Sequence, residues 1–450
     1  MKKLFAFLLV IGFVSASIAE EAKKDAQTAE PKKDYPLKVS VSGIVYGTNY
    51  NTVAKDVNGD FSAFRIRPLF NFTDGNIEAV LQLEYDAVFG QNNYKGSGTD
   101  STVYDETTNK SSENVGIGSD KKGLEVAKAY IKSKVDGFKP LTIIAGIADY
   151  DYPLIWGDNA PLAGINITTE NVILNFYYLK PSEGTLNDSK DDAQIYIADF
   201  TFKLGDSSIR PAFFAYECKE NAKLDENTSL QFRDSIGYIY ALTFNLNFGT
   251  FGMDTTGVYI RGEDKINDVQ YSAYACDVAP YLRPSDNLKF TAFFTIISGD
   301  SDHNGGDSFL NATIDGKGDS GINNWRLFMI EDGGSFTTNS DVTNTGKYTN
   351  TNGYLAYGLS LTFTLGPVTT KLQSAYIMAS ETATGQKSDM GFEFDGNIGF
   401  ALTKSSTLYI EGAYLKAGKF YETTDTTTGV AGTVEMQNPY YVNVGMTYSL

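Results

Sequence analysis

The sequence predicts an all-β chain closed as a transmembrane antiparallel β-barrel of about 18 strands, with short periplasmic turns and long external loops. Three observations carry this. Apolar side chains recur at every second residue through most of the chain. The periodic stretches run about ten to twelve residues, against the five or six usual in soluble sheets. Between them, tight turns alternate with long polar connections.

Taken in order, the chain opens with Lys2 and Lys3, an apolar run from Leu4 to Val14 and the small residues Ser17 and Ala19, the pattern of a signal peptide over 1–19. That run is shorter than the roughly 20 residues of a membrane-spanning helix, and no later stretch approaches this length. The absence of a cysteine just after it argues against a lipid anchor there. Residues 20–36 follow, a charged segment without the apolar periodicity of a strand, expected to hang in the periplasm before the barrel at 37–450.

The strands expected are 37–50, 61–72, 76–89, 124–135, 141–148, 164–168, 171–179, 192–204, 208–218, 234–247, 251–261, 269–282, 288–298, 354–365, 368–379, 390–403, 407–417 and 439–450. In "SIGYIYALTFNL" Ile236, Tyr238, Tyr240, Leu242, Phe244 and Leu246 share one face, with Ile239 the single large apolar residue on the other. "YLAYGLSLTFTL" and "FEFDGNIGFALT" repeat the pattern. Turns fall at 73–75, 205–208, 366–367 and 403–406, whereas 90–123, 219–233, 299–353 and 418–438 are long and rich in Gly, Asn, Asp, Ser and Thr. Because both ends lie on the turn side, the strand number is even; it becomes sixteen if 164–179 is one strand and another pair is over-split. A soluble sandwich, propeller or solenoid would alternate too, but with shorter strands and no fixed succession of turn and loop. No repeat of constant period is present.

Composition narrows the chemistry. The chain has 29 Tyr, 29 Phe, 43 Gly, one His and a formal charge of −18, so nucleic acid, whose phosphates need neutralising, is not a partner it would favour. Cys218 and Cys276 are the only thiols and are expected to stay unpaired. His303 lies in a long loop, and with no Cys/His cluster, phosphate loop or nucleophile motif the chain is not expected to be an enzyme. "DSDHNGGDSFLN" spaces Asp300, Asp302 and Asn304 like the first half of a calcium loop, but Asn311 stands where a bidentate Glu belongs. Calcium is therefore an open alternative to a plain acidic loop, and no other cofactor is expected.

With the apolar face turned to lipid, the other face can be scanned for charge. Arg65 and Arg67 then point into the barrel from the second strand, Glu78, Glu84 and Asp86 from the third, and Lys128 and Lys132 from the fourth. The segment 149–163, "DYDYPLIWGDNAPLA", interrupts the alternation with Asp149, Asp151 and Asp158 among Tyr150, Tyr152 and Trp156, broken by two prolines. It is expected to fold into the barrel as a constriction loop. Its carboxylates would face the wall of Arg65, Arg67 and Lys128 while its aromatics wedge against the interior. The alternative is an aromatic cap at the membrane interface or a subunit contact.

"AYIKSK", a "DG" turn, "LTIIAGI" and then "ADYDYPLIWGDNAPLAGI" resemble the corresponding region of bacterial outer-membrane porins, both the general diffusion type and the eighteen-stranded major outer-membrane proteins. The architectural resemblance extends over the chain from about residue 37, the local one over about 124–165. It implies a homotrimer in outer-membrane lipid, with 149–163 as the constriction. The chain departs from the family pattern in ending on Leu450, where an aromatic residue is usual. The function expected is a water-filled channel for passive diffusion of small hydrophilic solutes and ions, weakly cation-selective given the acidic excess. The alternatives are an anion or phosphate pore drawing on the inward bases, and a surface-structural protein or adhesin whose barrel is plugged.

Overall fold

The computed structural model describes residues 36–51, 58–89, 125–138, 140–155, 159–182, 193–218, 235–265, 269–300, 327–329, 352–382, 385–422 and 437–450. The proposed signal peptide lies outside the described residues, as does the charged segment up to residue 35.

Eighteen strands form one antiparallel sheet: β1 Leu37–Asn51, β2 Asn58–Asp74, β3 Ile77–Phe89, β4 Glu125–Lys134, β5 Leu141–Asp149, β6 Asn159–Thr168, β7 Val172–Ser182, β8 Ala193–Leu204 and β9 Ser207–Cys218, then β10 Ser235–Asn247, β11 Phe251–Asp264, β12 Val269–Ser285, β13 Leu288–Ile297, β14 Tyr354–Leu365, β15 Val368–Met378, β16 Asp389–Thr403, β17 Ser406–Ala417 and β18 Tyr440–Ser449. Each pairs with its neighbours in sequence, and β1 pairs with β18, so the sheet closes. The closing ladder runs from Ser42 opposite Ser449 to Asn51 opposite Tyr440. It is continued by two backbone hydrogen bonds between Val41 and Leu450, at 3.0 and 2.8 Å.

The expected strands and the even number agree with this sheet, with one difference that matters. β6 begins at Asn159, not at 164, because Asn159 to Ala163 pair in register with Asp149 to Ala145 of β5. The inward segment is thereby shortened from 149–163 to the residues between the strands, and Asp149 belongs to the barrel wall. Pro161 and Gly164 did not stop the strand: Pro161 sits opposite Ile147 near its start, where a missing donor is tolerated.

Large apolar side chains outside and mixed ones inside follow from the period of two. Leu359 and Leu365 on β14 are 66 and 76% exposed and Tyr238 and Tyr240 on β10 also face out, while Ala356 and Ile239 between such positions are fully buried. The two-residue turns β2–β3, β8–β9 and β14–β15 carry Gly75, Gly205 and Gly366 at φ of +56, +63 and +58°, the left-handed region that glycine enters without a Cβ penalty.

Glycine plays a second part on the inner wall. Tyr216, Gly237, Gly262 and Tyr271 are register partners across β9, β10, β11 and β12. The two tyrosine rings lie over the glycine pair and their hydroxyls hydrogen-bond each other. A Cβ at either glycine would enter a ring. Gly237→Val or Gly262→Val is expected to displace that ring and destabilise the barrel by about 1–3 kcal/mol. The check is a lower temperature of the mobility shift between folded and unfolded protein on gels, with Gly257→Val, whose added Cβ would meet nothing within 4 Å, as the neutral control.

Candidate functional site

After β5 the chain turns inward. Tyr150, Tyr152, Leu154 and Ile155 are all buried, and they share one apolar cluster with Ile195 and Ile197 of β8, Phe214 of β9 and Ile239 of β10. These wall residues are inward-facing positions, so the segment crosses from the β5–β6 hairpin to the arc β7–β10 inside the barrel. The rings pack edge-on: Tyr150 on Tyr177 and Phe214 with centroids 5.7 and 6.0 Å apart, Tyr152 on Phe214 at 5.8 Å.

A tight turn carries the crossing. Ile155 N–H donates to the Tyr152 carbonyl at 3.1 Å, closing a four-residue turn with Pro153 at its second position. Leu154, at the third, has φ of +65°, the only non-glycine residue with positive φ among the described residues. A turn of this type ordinarily takes Gly or Asn there. Leu is held because its side chain is buried against the wall, and burial of that size, about 1.5–3 kcal/mol, offsets the backbone strain.

A polar anchor sits beside the cluster. Asp199 of β8, fully buried, receives Arg210 of β9 through Nε at 2.9 Å and Nη2 at 2.7 Å. The same Nη2 donates to the Asp151 carbonyl at 2.7 Å, and the guanidinium stacks 4.4 Å from the centre of the Tyr152 ring. Tyr150 Oη donates to Asp199 at 3.3 Å and Tyr152 Oη to the Arg210 carbonyl at 2.5 Å. Burial, with the Asp199 charge nearby, raises the Tyr150 hydroxyl well above its ordinary range. Burial pushes that of Tyr152 up to about 12. Both therefore remain donors.

Of the predicted charges, Arg65 and Arg67 take another partner than the loop carboxylates expected, while Lys128 does meet Asp149. Arg65 Nη2 meets Glu84 at 2.8 Å and Arg67 Nε meets the other oxygen of the same carboxylate, so these bases are matched by the adjacent strand. Lys128 pairs with Asp149, β4 to β5, again within the wall. Glu78 accepts from Asn71 at 3.1 Å and stands opposite Lys132, whose ammonium lies over the Tyr130 ring. Asp86 is in register with Arg65; its side chain is outside the described set. Asp151 is exposed and engages Arg210 through its carbonyl. Trp156 and Asp158 lie outside the described residues, as do Asp302 and Asn304 of the calcium pattern; Asp300 is described and buried. Among the described residues no cluster of three or more acidic, His or Cys side chains is placed to hold a metal ion. Cys276 is a free thiol.

Arg210 and Asp199 were not singled out in the sequence, and neither was a second inward segment. Leu327, Phe328 and Met329, in the long connection between β13 and β14, are buried in the same apolar cluster as the loop after β5. Met329 N–H donates to Glu393 Oε1 of β16 at 2.7 Å. Lys371 of β15 lies 5.1 Å from the centre of the Phe328 ring. Toward the turn side, a cavity of about 360 Å³ is lined by Asn76, Glu78, Lys132, Lys134, Asn166 and Tyr177, among others.

Closed barrel, apolar exterior and a loop buried against the inner wall together define a bilayer-spanning β-barrel. The same fold occurs in solved outer-membrane porins. OpdO of Pseudomonas aeruginosa matches with a TM-score of 0.53 at 12% identity over 92% of this chain and 97% of that one. OpdL of the same organism gives 0.55 at 10% identity over 92 and 98%. OccAB4 of Acinetobacter baumannii gives 0.56 at 11% identity over 94 and 100%. No family model matches the sequence, and no curated protein matches it significantly.

Arg210→Met would leave Asp199 buried without its ionic partner, a loss of about 3–5 kcal/mol. We expect a lower unfolding midpoint in urea, and recovery of most of it in the double variant Arg210→Met, Asp199→Asn. Additive losses in the double variant would mean that the two side chains act separately.

Proposed function

We propose that the chain is an outer-membrane porin, a water-filled channel through which small hydrophilic solutes and ions diffuse passively, with no covalent chemistry. The observation that carries this reading is the loop after β5, anchored inside a closed barrel by Tyr150, Tyr152 and the Asp199–Arg210 pair. A wall that seals against lipid needs no such loop; a passage that must be narrowed does. The neighbouring porin folds support the same reading at the level of fold. Homotrimeric assembly is part of the proposal, as the sequence resemblance implies.

Weak cation preference is the finer proposal. It is supported by the exposed Asp151 carboxylate, by the local matching of Arg65 and Arg67 to Glu84, and by the overall charge of −18. An anion channel would draw on Lys132 and Lys134 at the turn-side cavity. The plugged-barrel scaffold draws on the apolar cluster shared by the loop and Leu327 to Met329.

Planar-bilayer recording under a salt gradient separates these. We expect open channels whose reversal potential has the cation sign and moves toward zero when Asp149, Asp151 and Asp158 are changed to Asn. The reversed sign would assign an anion pore. Folded protein without conductance would favour the scaffold.

A further inference from the structure

The wall at β15 and β16 holds Leu327 to Met329 as a binding site holds a peptide. All three residues are almost completely buried, although they belong to the connection that runs from Ile297 to Tyr354. Two backbone amides point at two carboxylates: Met329 N–H to Glu393 Oε1 at 2.7 Å, and Phe328 N–H to Asp395. Glu393 and Asp395 are two apart on β16 and both face inward, Phe394 between them being turned to lipid at 51% exposure. Gln373 of β15 donates to the second carboxylate at 2.6 Å and so fixes its orientation. Lys371 supplies a cation near the face of the Phe328 ring.

Two inward carboxyl groups stripped of water need partners: Glu393 and Asp395 hydrogen-bond each other, Gln373 and the Lys371 charge stand beside them, and backbone amides of Leu327 to Met329 complete the set without bringing a further charge. We propose that Glu393, Asp395, Gln373 and Lys371 form a lumenal binding site for short peptides with an aromatic side chain, and that Leu327 to Met329 occupy it as a built-in competitor. The ligand class follows from the contacts. N–H donors match the two carboxylates, an aromatic ring matches Lys371, and a protonated amino terminus would suit the carboxylate pair better than the neutral amides of the chain. This inference rests on the channel reading, since a solute must reach the lumen to compete.

Tethering sets the scale. A segment of the same chain competes at an effective concentration on the order of millimolar, so a free peptide binds weakly until the competitor is weakened. The test is fluorescence anisotropy of a dye-labelled, amidated Leu-Phe-Met peptide, its dye on the C-terminal side, titrated with full-length protein in lipid nanodiscs and with empty nanodiscs as background. Phe328→Gly is expected to tighten binding at least tenfold over the unaltered chain. In that background Glu393→Gln with Asp395→Asn should weaken it at least tenfold. Lys371→Met should abolish the preference for Leu-Phe-Met over Leu-Leu-Met, which serves if the carboxylate variant does not fold. No binding above background to the Phe328→Gly protein, or affinity unchanged by both wall variants, overturns the proposal. Because the readout is binding, the loss of conductance that would sink the channel reading is a separate result.

Discussion

A sheet in hydrocarbon has no water to satisfy its edge, and each unpaired backbone group there costs several kcal/mol, so the ladder between β1 and β18 is the contact on which the other strands depend. Breaking any one of the strand interfaces would expose two edges at once. Closure also fixes the meaning of every side chain: with no edge to hide, each residue of a strand faces either lipid or lumen, and the period of two becomes a partition of the chain into two solvents. Leu359 and Tyr357 go to one, Ala356 and Gly358 approach other parts of the protein. The cross-strand row Tyr216, Gly237, Gly262, Tyr271 belongs to the same constraint, since a curved wall crowds its concave face and small residues there let rings lie flat.

Within that cylinder, a segment packed against the inner wall needs apolar surface in a place that alternation reserves for polar groups. The loop after β5 meets this by bringing its own partners. Tyr152, Leu154 and Ile155 bury against Phe214 and Ile239, and the Asp199–Arg210 pair takes the backbone carbonyl of Asp151 that the crossing would leave bare. Arg210 does several things at once: it matches a buried carboxylate, caps a loop carbonyl and stacks on a ring. Leu154 in the left-handed region is the strained member, kept there because the segment is over-determined on both sides.

The barrel was legible in the sequence because period two, turn chemistry and strand length all act locally. So was the break in alternation at Tyr150 and Tyr152, where prolines and aromatics fit neither strand nor ordinary loop. The end of that segment was misplaced because Asn159 to Ala163 carry Pro161 and two alanines, and only pairing with β5 makes them a strand. Side-chain partners were beyond reach. Arg67 stood across from an imagined loop carboxylate, whereas the register of β2 and β3 puts Glu84 beside it. One trace of this packing was nonetheless on view: Ile239 broke the alternation of "SIGYIYALTFNL", and on β8, two strands away, Ile195 and Ile197 flank Tyr196 as an apolar run on both faces. Where a wall strand is apolar on its inner side too, something apolar leans on it.

The field in the lumen follows from where opposite charges meet. A base and an acid joined within one wall make a short dipole, whose influence falls off within a few ångströms of water, faster than that of either charge alone. Arg65, Arg67 and Lys128 therefore contribute less to the field in the lumen than their number suggests, since Glu84 and Asp149 lie against them. The same logic holds at Arg210 and Asp199. Groups with no opposite charge beside them weigh more; Asp151 is exposed, its carbonyl takes Arg210, and no ion pair of its carboxylate is found among the described residues. The field inside such a barrel is set less by the sum of charges on the wall than by the few that are held away from a partner.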